Sequence, residues 1–76
     1  MDVGKRIEKL RKLKRLMQKD LAEELHFSKY QISDWEVGRS LPDLNQIIVI
    51  AVFFGVSTDY LLGLEKDETY LNGKSF

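Results

Sequence analysis

The chain has 76 residues, no cysteine, 43% apolar side chains and a formal charge of zero. That size allows one small domain whose core must hold without disulfides or thiolate metal sites, and the apolar content is too high for a disordered segment. The longest apolar run, residues 47–54, is too short to span a bilayer, and the N-terminus carries charge instead of an apolar export signal.

Absence of cysteine suits a reducing compartment, so the expected location is cytoplasmic. The zero sum also hides an uneven distribution. Lys5, Arg6, Lys9, Arg11, Lys12, Lys14, Arg15 and Lys19 crowd the stretch from residue 5 to residue 19, opposed only by Glu8. Acids gather later, at Asp59, Glu65, Asp67 and Glu68 among others. A basic pole of this kind suits a polyanion despite the neutral total, although a solvated helix face accounts for it equally well.

Along the chain the apolar spacing is helical. Val3, Ile7, Leu10 and Leu13, with Met17 in line, recur at three and four and predict a first helix with its basic residues outward. Leu21, Ala22 and Leu25 mark a second. Ser28 followed by Gln31 forms a capping box, which starts a third helix running to about Val37. Its inner face is Ile32 and Trp35, Tyr30 lies opposite, and Gly38 is a left-handed stop.

Pro42 at a first helical position, with Asp43 beside it, opens a fourth helix that Gly55 closes after Phe54. Leu44, Ile48 and Ala51 are expected on its core line. Ser57 caps a last short helix, Thr58 to Leu62, ended by Gly63. The pattern is lost from Leu64 onward, so residues 1–63 read as the domain and 64–76 as a tail or the start of a linker. Five helices with short turns, and no strand alternation or repeat, predict an all-α fold.

The segment from Gln18 to Ser40 thus reads as a helix, a tight turn and a second helix whose outer face carries Lys29, Tyr30, Ser33 and Asp34. A helix so presented fits the DNA major groove, where each base pair shows its own donor and acceptor pattern.

The residues GKRIEKLRK, then QKDLAEEL, then SKYQISDWEVGR, LPDL, FFGVS and DYLLG stand in one order from residue 4 to residue 63. In this the chain resembles the Cro/cI-type helix-turn-helix regulators, the XRE family. The resemblance implies a five-helix, lambda-repressor-like DNA-binding domain. It implies that Gln18 and Ser28, at the heads of the second and third helices, contact phosphate, as do Arg39 and Ser40 beyond the third. The helix ends favour an anion at the first two positions. Lys29, Tyr30 and Ser33 fall where the family places its base readers, with Asp34 at their edge. It further implies a structural ion pair between Arg11 and Glu36.

Several of these positions have a second reading. Gln18 could be a solvated first-turn residue, and Lys29 suits a phosphate as well as a guanine edge. Asp34 would be repelled by phosphate, so it either accepts from a cytosine amino group or restrains a cation such as Lys29. Trp35 is expected in the core. His26, the only histidine, stands where the family has a left-handed glycine and is not expected to bind metal. Met17 replaces a Ser or Thr cap, a loss of about 1 kcal/mol unless Asp20 compensates. Arg15 replaces the glycine that commonly ends the first helix.

Val49 and Val52 occupy positions the family gives to polar residues. With Asn45 and Val56 they form a stripe at spacings of four, three and four. With Tyr60 and Leu61 nearby, this stripe is the expected dimer interface, or else it thickens a thin core. A two-fold dimer would set two recognition helices about 34 Å apart, facing an inverted-repeat site.

The expected function is therefore a sequence-specific DNA-binding transcriptional regulator, a dimeric repressor, with double-stranded DNA as partner. The alternative is a protein-interaction module of the same fold, such as an antitoxin or anti-repressor. No enzyme, cofactor, metal, membrane or small-molecule substrate is expected, because no nucleophile–base pair, metal cluster or glycine-rich phosphate loop is visible.

Overall fold

A computed structural model describes residues 2–64, and the expected tail from residue 65 lies outside these. The helices are α1 (Val3–Leu13), α2 (Gln18–Leu25), α3 (Lys29–Glu36), α4 (Leu44–Phe54) and α5 (Thr58–Leu62). There is no strand among the described residues. α1 packs on α3 and α5, α2 on α3, and α4 on α5.

The core draws on every helix. Val3 and Ile7 of α1, Leu21 of α2, Ile32 of α3, Ile50 of α4 and Leu61 of α5 are all fully buried. Each contributes about 1.5–3 kcal/mol by leaving water. Trp35 is buried as expected, with Phe27 edge-on to it at 5.4 Å between ring centroids. α5 is also held to α1 by the Arg6 guanidinium, which lies 5.1 Å from the centroid of the buried Tyr60 ring.

Side chains cap three of the helices. Ser28 Oγ accepts from Gln31 N at 3.1 Å while Gln31 Oε1 accepts from Ser28 N at 2.9 Å. Asp43 and Gln46 make the same reciprocal pair ahead of α4, and Ser57 Oγ caps α5. Asp43 is therefore the cap of α4, and Pro42 stands outside the helix, not at its first position. At α2 no Met17 side chain caps the helix, but Asp20 Oδ2 accepts from Met17 N at 2.9 Å. That supplies half of a capping box, which is the compensation expected of Asp20.

All five helices stop in one way. In each, a residue at positive φ turns the chain, and the next N–H bonds back to a carbonyl five residues earlier: Leu16 to Arg11, Phe27 to Ala22, Arg39 to Asp34, Val56 to Ala51, Leu64 to Asp59. Three of the turning residues are glycines. The other two are Arg15 at φ 58° and His26 at φ 60°, which carry side chains into a conformation that disfavours them.

Two expectations about buried faces are corrected here. On α1, Leu13 is 70% exposed and Met17 62%, because the inner line runs Val3, Ile7 and then Arg11. On α4 the buried line is Ile47, Ile50 and Ala51, while Leu44 and Ile48 face outward. α4 is apolar nearly all round, so periodicity alone could not choose its inner face; contact with the rest of the core does.

Candidate nucleic-acid interface

Beneath the recognition segment lies a nearly buried polar clamp. Arg11 Nε donates to Glu36 Oε2 at 2.7 Å and Nη2 donates to Glu36 Oε1 at 2.9 Å. The remaining guanidinium nitrogen, Nη1, donates to the Leu16 carbonyl at 2.7 Å. The hydrogen bond to Glu36 raises the Arg11 pKa above its ordinary value, with burial acting the other way. Glu36 Oε1 also accepts from Gln18 Nε2 at 3.0 Å. One carboxylate thus joins α1, the head of α2 and the end of α3, fixing the angle at which α3 is presented. The expected pair between Arg11 and Glu36 is present.

Gln18 therefore already has a partner inside the protein. It keeps a second amide hydrogen and its carbonyl for an outside ligand. The Asp20 carboxylate at the head of α2 occupies part of the positive helix end that would otherwise attract an anion.

α3 presents its outer face to solvent. Tyr30 is 74% exposed, and the Lys29 ammonium lies 5.6 Å from the centre of its ring. Ser33 and Asp34 are half-buried on the next turn. Asp34 Oδ1 accepts from Arg39 Nη1 at 2.8 Å, so the cation it restrains is Arg39, not Lys29. Ser28 uses its oxygen as a cap and has a hydroxyl proton left to donate. The result is a short face, Tyr30 to Asp34, bracketed by Ser28 at one end and by exposed Arg39 and Ser40 at the other.

The α4 stripe is wider than its spacing in sequence implied. Leu44, Ile48 and Val52 follow one another at intervals of four, with Val49 and Asn45 beside them, and all five are exposed. Val56 is half-buried at its end. Leu61 is fully buried and Tyr60 nearly so; both belong to the core beneath α1 and cannot line an exposed interface. α5 is five residues long and turns that face inward to close the domain. No helix among the described residues is long and apolar enough to cross a membrane.

The helix-turn-helix domain family matches residues 4–66. The chain belongs to this family. Among its relatives is the HTH-type transcriptional activator BcrR of Enterococcus faecalis, 38% identical over 66 residues, covering 87% of this chain and 32% of BcrR. The HTH-type transcriptional regulator ImmR of Bacillus subtilis is 34% identical, covering 99% of this chain and 62% of ImmR. The uncharacterized HTH-type transcriptional regulator YobD of the same organism is 34% identical over 62 residues, 82% of this chain and 55% of YobD. The chain thus spans between about a third and three fifths of the length of these relatives.

Proposed function

We propose that this domain binds DNA in a sequence-specific way and regulates transcription, with α3 lying in the major groove. The observation that carries this reading is the solvent-facing surface of Tyr30 and Ser33, bracketed by Ser28, Arg39 and Ser40 and held by the clamp between Arg11 and Glu36. The bracketing groups suit phosphate and set register, while the side chains between them meet base edges. Asp34 sits at the edge of that set, where its bond to Arg39 steadies a phosphate-directed guanidinium.

A face of three or four side chains reads few base pairs, so useful specificity needs two copies on an inverted repeat. The apolar face of α4 suits that pairing: Asn45, Val49 and Val52, with Leu44 and Ile48 beside them, are available to a second copy. Binding over a promoter would make the protein a repressor. One relative is named an activator, so the sign of regulation follows from where the operator lies. The same apolar face also favours the second reading, a protein-interaction module of the antitoxin or anti-repressor kind.

Selection of bound sequences from a random DNA pool, repeated across salt concentrations, tests the reading. An enriched palindromic consensus and an affinity that falls steeply with salt are expected. No enrichment, together with capture of a protein partner that is insensitive to salt, would favour the module.

A further inference from the structure

The face that carries Tyr30 and Ser33 ends in a carboxylate, which a polyanion repels. Asp34 stands in the last turn of α3, where the negative end of the helix also disfavours an acid. The stability of α3 therefore does not account for it. Nor can the side chain turn freely away. The Asp34 carbonyl accepts from Arg39 N at 2.8 Å and from Ser40 N at 3.4 Å, and its Oδ1 accepts from Arg39 Nη1 at 2.8 Å. The turn at Gly38, φ 80°, brings Arg39 back over the helix end so that these bonds form together. Asp34 is half-buried and Arg39 exposed, so the carboxylate is the covered member of the pair. Its second oxygen, Oδ2, has no donor among the described residues.

A held acceptor at a DNA surface meets mostly other acceptors: phosphate oxygens, guanine N7 and O6, thymine O4. In the major groove only the amino groups of cytosine and adenine donate, and that of adenine stands beside the acceptor N7. We propose that Asp34 sets specificity by rejection, and that Arg39 makes the rejection effective by holding the carboxylate in place. Opposite cytosine, Oδ2 gains the donor it lacks. Opposite guanine or thymine it is desolvated against negative charge with nothing in return. A carboxylate free to rotate would swing to water and escape that cost. Arg39 is thus a positioning residue for base choice, with Nε and Nη2 left for phosphate while Nη1 keeps Asp34. This rests on the DNA-binding reading and adds to it a base preference imposed through a residue that touches no base.

The test combines selection from a random DNA pool with affinities for the selected operator and for unrelated DNA, in three variants. Asp34→Ala should lose a cytosine preference at one position of each half-site and tighten binding to unrelated DNA, narrowing the ratio of the two affinities by about tenfold. Arg39→Ala should lose the same preference, although a plain phosphate ligand would weaken every sequence alike. Ser40→Ala is the control, since its hydroxyl is not bonded to Asp34, and it should keep the consensus. An exposed ion pair contributes little to stability, so thermal melts of all three should barely move. A consensus retained in full by Arg39→Ala overturns the proposal, as does loss of the same preference in Ser40→Ala. Asp34→Ala that loses operator affinity with no gain on unrelated DNA makes Asp34 an attractive reader and also overturns it. Failure of the unaltered chain to enrich any sequence overturns the DNA-binding reading instead.

Discussion

Gly4 lies directly against the backbone carbonyl of Trp35: a β-carbon placed on Gly4 would stand 1.8 Å from that oxygen. α1 therefore crosses α3 at backbone contact, and any side chain at this point forces the helices apart. Gly4→Ala gains up to about 1 kcal/mol of helix propensity. It must still displace a carbonyl that cannot move without its helix, and overpacking of this kind costs about 1–3 kcal/mol or more. A net loss of stability is expected, read as a fall of several degrees in the thermal midpoint; an unchanged midpoint would show that α1 shifts freely.

The clamp beneath α3 predicts a larger effect. Arg11→Ala leaves the Glu36 carboxylate buried without its main partner, and breaking a pair this buried costs about 3–5 kcal/mol. Replacing both residues with apolar side chains of similar volume should recover much of that loss. Because the bond to Glu36 raises the Arg11 pKa, the stability the charged guanidinium contributes is present below its ordinary value and disappears only as pH climbs through the raised one. Urea unfolding between pH 6 and 9 should therefore show no loss attributable to Arg11.

Tyr30→Ala should separate folding from reading. Its side chain is 74% exposed, so the melting temperature should hardly move. Discrimination at one position of each half-site should fall by about 1–3 kcal/mol. A consensus identical to that of the unaltered protein would remove Tyr30 from the reading face.

For the α4 face, Val49→Glu combined with Val52→Glu places two charges on an apolar patch that is already exposed. The variant should fold, sediment as a monomer at micromolar concentration, and lose affinity for a two-half-site operator while keeping its grip on a half-site. A variant that remains dimeric would exclude this face.

His26→Gly should raise stability by about 0.5–1 kcal/mol, since glycine enters the left-handed region without the penalty that histidine meets at φ 60°. Differential scanning calorimetry reads this as a rise of a few degrees.

Much of this fold is legible in the sequence, because its signals are local. The box of Ser28 and Gln31, the cap at Ser57 and the stop at Gly38 each need only residues a few positions apart. The partnership of Arg11 with Glu36 came through the family resemblance, not from spacing, since 25 residues separate them. The inner face of α4 was not legible, because Leu44 and Ile47 are equally apolar and only packing distinguishes them. Nor was the choice of Arg39 by Asp34, which depends on how the chain turns at Gly38. Tyr60 and Leu61 look like surface in a short helix, yet they close the core.

The buried charge pair has a further consequence, for the register of the helices. The backbone contact at Gly4 already opposes sliding of α1 along α3, and the charge pair opposes it at the other end of the crossing. Moving α1 along α3 by one turn in one sense sets Ile7 against the carboxylate, and in the other drives Arg11 among apolar side chains; either leaves charge buried and uncompensated. The pair adds little net strength compared with an apolar replacement. It works instead as an alignment pin, admitting one relative position of α1 and α3 and so one placement of Tyr30 and Ser33 on the outside.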